Sequence, residues 1–170
     1  EEVAEAIRPG GLGKQKAGRI RAFLRWLKES RGELSLEFLR KKEPEEALKL
    51  LTPHKGVGVK TVYVMLMGAA GKDVFPVDVH IHRIARRLGL IGPRTTPEKA
   101  HWELAPLVPK GKAYSLHLNL LAFGRTICTA RNPRCGVCPF RSICLYYKEL
   151  KAYPGPRATR GSALISRPSR

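Results

Sequence analysis

Leu51-Thr-Pro-His-Lys-Gly-Val-Gly-Val-Lys-Thr61 is the stretch on which the fold turns. Upstream of it, Pro44 to Leu51 reads as a short helix. Pro44 suits its first turn, where the missing N–H would have no partner anyway. Downstream, Val59 to Ala70 is apolar on most sides and reads as a buried helix. Between them Thr52 to Gly58 is dense in helix breakers, with Gly56 and Gly58 one residue apart. Glycines so placed permit a positive φ and a close approach of backbone to another molecule. Their N–H groups, with those opening the next helix, can converge on one phosphate oxygen. Such a corner holds a nucleic-acid backbone without reading its sequence. The candidate contacts are Lys55, Gly56, Val57, Gly58 and Thr61. Taken alone, the pattern also fits an ordinary corner between two helices.

The chain on either side is helical too. Glu2 to Ile7 is a short helix stopped by Pro9-Gly10-Gly11. Lys14 to Arg31 carries a helical stripe of Ile20, Phe23, Leu24 and Leu27, and Gly32 ends it. Further helices are expected over Leu36–Leu39, Asp78–Leu88, Pro97–Leu107, Lys112–Phe123 and Phe140–Leu150. Val74 to Val79 is the one strand candidate, and Pro76 weakens it. The expected fold class is all-α. Residues 1–107 are expected to form a partial helical barrel containing the corner at 43–70, and residues 108–150 a second unit. Residues 151–170 are basic, rich in Pro, Gly and Ser, and without periodicity, so a disordered tail is expected.

A chain of 170 residues holds one domain, or two small ones sharing a core. At this size roughly 70% of the unfolded surface can be buried, so folding needs no metal or disulfide. No apolar run approaches the ~20 residues of a membrane span, and no membrane role is expected. Glu1 to Ile7 is acidic and lacks the basic and apolar regions of a signal peptide. A reducing, cytoplasmic location is expected, which disfavours structural disulfides. Lys and Arg number 32 against 14 Asp and Glu, a net charge of +18. Residues 128–150 hold four basic and one acidic residue, and 151–170 five basic and none. The remaining +10 lies on residues 1–127, so the positive field is not confined to the tail. A polyanion partner is the reading that this favours over a merely solvated surface.

Lys60 follows the glycine corner at the start of an apolar helix. The positive end of a helix dipole disfavours an ammonium there. That field, with partial desolvation, would favour a free amine, the form that a Schiff-base nucleophile requires. Asp78, in Pro76-Val77-Asp78-Val79-His80, is a good N-cap for the next helix. A carboxylate fixed in this way could also stabilise positive charge on a sugar ring or take a proton from the nucleophile. His80 and His82 do not share a helical face, so a metal site on them is not expected. Arg83, Arg86 and Arg87 read as a solvated or phosphate-facing surface of the same helix.

All four cysteines of the chain fall in one window, Cys128-x6-Cys135-x2-Cys138-x5-Cys144, interleaved with Arg131, Arg134 and Arg141. Four-cysteine zinc sites use two close pairs, and only one C-x2-C is present here. An iron–sulfur cluster tolerates irregular spacing and favours the longer gaps. Spacing puts iron–sulfur ahead and leaves zinc as the alternative. Arg131 and Arg134 would then sit on a rigid basic loop facing an anion.

Three elements stand in order: Lys-Gly-Val-Gly-Val-Lys-Thr at 55–61, Phe-Pro-Val-Asp-Val-His at 75–80, and the cysteine window at 128–144. Together they resemble the endonuclease III family of DNA glycosylases, of the helix–hairpin–helix superfamily, from about Ala4 to Leu150. The resemblance implies the all-α helix–hairpin–helix glycosylase fold with a C-terminal cluster loop. It implies a 4Fe–4S cluster on Cys128, Cys135, Cys138 and Cys144, with Lys60 and Asp78 catalytic. The implied activity is base-excision repair on double-stranded DNA carrying a damaged base or an abasic site. Oxidised pyrimidines would be released and the strand nicked by β-elimination through a lysine Schiff base. The implied agent is a monomer working on nucleoid DNA. Departures from the family pattern are Lys55 before Gly56 in place of proline, Val79 in place of threonine, and Tyr63 in place of asparagine. The family carries further helices upstream, with a glutamine-bearing loop that fills the gap left by a flipped base. The sequence reads as lacking those helices, and none of its residues is assigned that role. Two other functions fit parts of the sequence: a non-catalytic DNA-binding module and an iron–sulfur electron carrier.

Overall fold

The computed structural model describes residues 1–152. Eight α-helices form among them: α1 Glu2–Ala6, α2 Gly13–Arg31, α3 Pro44–Leu51, α4 Val59–Gly68, α5 Val79–Leu88, α6 Pro97–Leu104, α7 Ala113–Thr126 and α8 Leu145–Ala152. No β-strand occurs among the described residues, and the all-α expectation holds. Lys151 and Ala152 complete α8, and the remainder of the expected tail lies outside the described residues.

Helix ends follow local chemistry. Pro44 opens α3 behind a reciprocal cap in which the Glu46 carboxylate accepts from Glu43 N–H at 3.0 Å. Helix α6 narrows into a 3-10 turn over Ala105–Leu107, where Pro106 has no N–H to continue the α ladder. The last helix starts at Leu145 and not at Phe140 as the sequence suggests. After Pro139 the chain makes tight turns, with Arg141 N–H donating to Cys138 O and Ile143 N–H to Phe140 O. These turns fold Cys144 back toward the other thiols, where a continuous helix would carry it away.

Two apolar clusters hold the helices. In the first, Leu39, Ala47, Leu51, Val62 and Leu66 are fully buried, joined by Tyr63 and Ala70 and flanked by Phe23 and Trp26 of α2. Val57 and Val59 of the corner pack against this cluster, which fixes the hairpin to its own two helices. The second joins Phe75, Val77, Ile81, Ala85, Ile91, Ala100, Leu104 and Ala113, with Leu116 and Leu120 packed on it. Helices α5, α6 and α7 share this second cluster, and the 107/108 division drawn from sequence runs through it. Fully burying one such side chain stabilises by about 1.5–3 kcal/mol. Gly124 lets α7 approach α5: a Cβ there would stand 2.7 Å from the His80 Cβ.

The strand candidate is an extended connector, and side chains satisfy its backbone. His117 Nδ1 donates to Pro76 O at 2.9 Å, and Val77 N–H donates to His101 Nε2 at 3.0 Å. His101 Nδ1 in turn donates to Pro97 O at 2.9 Å. Both histidines are buried. This arrangement sets the position of Asp78, one residue beyond Val77.

His101 must be neutral to accept from Val77, and burial lowers its pKa from the ordinary 6.5. Above 6.5 it is neutral folded or unfolded and adds no pH dependence. As pH falls below that value the unfolded chain takes up a proton that the folded chain refuses, and stability drops. Urea unfolding at stepped pH should show this acid-side loss, and the loss should flatten in His101→Phe. That variant should also cost about 1–3 kcal/mol at neutral pH by leaving Val77 N–H unpaired.

Candidate functional site

The hairpin closes through Val57 N–H, which donates to His54 O at 2.9 Å, and Thr61 N–H, which donates to Gly58 O at 2.9 Å. Those two amides are spent inside the protein. Among the described residues the N–H groups of Gly58, Val59 and Lys60 meet no backbone acceptor. The glycine and helix-start amides expected to face a phosphate, those of Gly56, Gly58, Val59 and Lys60, thus stay unpaired among the described residues, while Val57 has no amide left to offer and Thr61 keeps only its hydroxyl. Gly56 needs its glycine, with φ +92°. Gly58 has an ordinary φ of −97°, and a Cβ at this position would meet no protein atom within 4 Å, so its open side faces outward.

Lys60 is the second residue of α4 and is exposed. The partial desolvation expected from sequence is not provided by the protein alone. Asp78 is half-buried and caps α5. Its Oδ1 accepts from His80 N–H at 2.9 Å and Ile81 N–H at 2.8 Å. No donor among the described residues meets Oδ2, which leaves one carboxylate oxygen free for chemistry. Val79 beside it is 69% exposed, an apolar surface next to that oxygen. Lys60 and Asp78 thus stand at the N-terminal ends of α4 and α5.

Helix α5 also reaches the cysteine loop, through two arginines that sequence alone places on a solvated or phosphate-facing surface. Arg83 donates from Nε to Cys128 O at 2.9 Å, and from Nη2 to Gly124 O at 2.8 Å and His80 Nδ1 at 3.0 Å. Arg87 donates from Nη1 to Thr129 O at 2.7 Å and Cys128 Sγ at 3.2 Å, and from Nη2 to Ala130 O at 3.2 Å. Its guanidinium lies 4.3 Å from the Tyr146 ring centre. His80 is thereby a partner of Arg83, and His82 a partner of the Thr95 carbonyl at 2.8 Å. Arg131 and Arg134 project from the loop into solvent, while Arg141 turns back to Gly136 O at 3.2 Å.

The four thiols gather in this loop. Burial raises the Cys135 pKa, and the thiols of Cys138, Cys144 and Cys128 raise it further. Thiols that make one another harder to ionise form a site for a strongly cationic group, whose charge reverses that effect. Among the described residues no three His, Cys, Asp or Glu side chains come together as ligands of a single metal ion.

Two other features carry no signal in the sequence. Leu12 is 72% exposed and holds a left-handed backbone, φ +56°, immediately before α2. Arg19 of α2 lies against Gly56 of the hairpin.

Residues 1–110 match the family described as HhH-GPD superfamily base excision DNA repair protein. Residues 128–144 match the iron–sulfur binding domain of endonuclease III. DNA glycosylase/AP lyase ROS1 of Arabidopsis thaliana is 30% identical over 164 residues, covering 86% of this chain and 12% of its own length. Endonuclease III of Thermotoga maritima is 35% identical over 148 residues, covering 87% of this chain and 65% of its own. A solved non-covalent Endonuclease III–DNA complex superposes with a TM-score of 0.74 at 28% identity, covering 89% of this chain and 67% of that one. The chain therefore spans about two thirds of the endonuclease III length and a small part of the plant relative. With the match at 128–144, the choice left open by spacing falls to a 4Fe–4S cluster, and the chain has no thiols other than these four to hold it.

Arg87 should fasten this loop. Arg87→Met keeps the aliphatic stem and removes the donors to Cys128, Thr129 and Ala130. It should destabilise the cluster-loaded protein by about 2 kcal/mol, the scale of a hydrogen bond to a charged group. Visible absorbance would then be lost at lower denaturant concentration than in the parent. Identical midpoints would show that Arg87 does not fasten the loop.

Proposed function

The chain belongs to the HhH-GPD superfamily of base excision DNA repair proteins, and from that premise we propose that it is a bifunctional DNA glycosylase and abasic-site lyase. Its substrates are oxidised pyrimidines in duplex DNA, and it works as a monomer on nucleoid DNA in the cytoplasm. The observation that carries this reading is Lys60, an exposed amine beside the open amides of a glycine hairpin, together with Asp78, whose free Oδ2 stands at the head of the next helix.

The steps follow from those positions. The Gly58–Lys60 amides, Lys55 and the Thr61 hydroxyl hold backbone phosphates, and the open side of Gly58 lets the strand come close. Arg131 and Arg134 hold the strand from the cluster loop. The damaged nucleotide turns out of the stack, and the docked DNA supplies the desolvation that the free protein does not give Lys60. The Lys60 amine forms a bond to the sugar C1′ as the glycosidic bond breaks and the base leaves with the electron pair. Asp78 Oδ2 stabilises the cationic sugar and takes the proton that the amine gives up. Ring opening yields a Schiff base, and loss of a C2′ proton then expels the 3′ phosphate. The 4Fe–4S cluster, on Cys128, Cys135, Cys138 and Cys144, supplies structure to the loop and no step of this chemistry.

A second reading, a DNA-binding module without turnover, has one observation in its favour. Neither Lys60 nor Asp78 lines the two broad grooves that lie on the α1–α2 face and beside α5 and α8. Single-turnover assays on a duplex with one thymine glycol separate the two. Lys60→Ala should abolish nicking, with base release reduced at least ~100-fold. Asp78→Asn keeps an N-cap of equal quality and so should hold stability within about 0.5 kcal/mol. It should nevertheless lower the rate by ~100-fold or more, because the charge is gone. Salt-sensitive binding with no base release by the parent protein would favour the module.

A further inference from the structure

A second anion site adjoins the hairpin on the side of α2. A cavity of about 360 Å³ opens between α2 and the corner, with Lys14, Gln15, Arg19, His54 and Lys55 in its wall. No carboxylate lines it, and among the described residues no acidic side chain pairs with Lys14, Arg19 or Lys55. Like charges around one cavity repel one another, and an anion between them relieves that repulsion. Arg19 carries the stronger sign. Its Nε is buried and finds no hydrogen-bond partner in the protein. Nearly all buried polar atoms are paired, and an unpaired donor costs about 1–3 kcal/mol.

The site is also built to be rigid. The His54 ring packs 4.2 Å from Trp26 and edge-on to Phe23 at 5.4 Å, centre to centre, which ties the hairpin to α2. Gly56 makes room for the Arg19 stem: a Cβ there would stand 2.5 Å from Arg19 Cδ. The glycine at 56 thus serves the arginine beneath it as well as its own positive φ.

We propose that Arg19 and Lys14, with Lys55 at the rim, hold a DNA phosphodiester next to the one gripped by the Gly58–Lys60 amides. The inference rests on the DNA-repair reading above and adds to it a clamp supplied by α2. Two phosphates held from two elements fix the angle of the strand over Lys60, which one phosphate cannot do. A planar guanidinium suits this role, since it binds phosphate through two parallel N–H groups.

The test is equilibrium binding of an undamaged 21-base-pair duplex across a sodium chloride series, with the cluster-loaded full chain. The parent is compared with Arg19→Gln, Lys14→Gln and, as a control on α6, Lys99→Gln. Thermal melts check folding, and Lys14, exposed on α2, keeps the test informative if Arg19→Gln is unstable. Arg19→Gln and Lys14→Gln should each lower the slope of log affinity against log salt by about 1, and Lys99→Gln should not. Affinity at 100 mM salt should fall several-fold in the first two. Slopes equal to the parent's in both would overturn the site and leave the repair reading standing. A parent that binds no duplex at all would sink the repair reading and this site with it. Inorganic phosphate binding that disappears in Arg19→Gln with duplex affinity unchanged would assign the cavity to a free anion, and would equally overturn the proposal.

Discussion

Asp78 holds α5 by its first turn. Its Oδ1 takes the N–H groups of His80 and Ile81, and that cap fixes both the start of the helix and the direction of the free Oδ2. The carboxylate cannot drift, because the residue before it is pinned by His101 and Pro76 by His117. At the other end the same helix projects Arg83 and Arg87 into the cysteine loop. One ten-residue helix thus joins the carboxylate to the cluster segment. A cap of this kind contributes about 1 kcal/mol to stability. Its larger consequence is geometric: the carboxylate is held in one place by backbone bonds.

The hairpin is held by a different logic. Its valines pack against the first apolar cluster, and His54 packs against aromatic residues of α2. The turn is therefore rigid beneath while its outward amides stay unpaired. Unpaired N–H groups at a helix start attract anions, and the chain's +18 charge enlarges that attraction over a longer range. The exposed Lys60 belongs to the same surface. In the proposed mechanism the free protein prepares this amine by position, and bound DNA completes its activation by excluding water.

Much of this is legible in the sequence. Pro44 and the two glycines announce the corner, because only those residue types suit those backbone positions. Asp78 declares itself as a cap by standing before a helical run. The four cysteines mark the iron–sulfur segment by their crowding. What the sequence hides depends on contacts between residues far apart in the chain. His101 and His117 satisfy the backbone of an extended segment that pattern alone offers as a strand. Arg83 and Arg87, a surface by pattern, are fasteners for a loop some forty residues on. Helix α8 starts late because the thiols must turn back toward each other, a demand that local propensity does not contain. Arg19 gives no signal in sequence because its meaning lies in Gly56, on another element.

The central claim is that the Lys60 amine is the group that bonds to the sugar. Borohydride reduction of the cluster-loaded protein on a duplex with one abasic site, followed by peptide mass spectrometry, reads this directly. The predicted result is a covalent adduct whose sugar remnant maps to Lys60. An adduct that maps to any other amine, or no adduct from folded and DNA-bound protein, would contradict it.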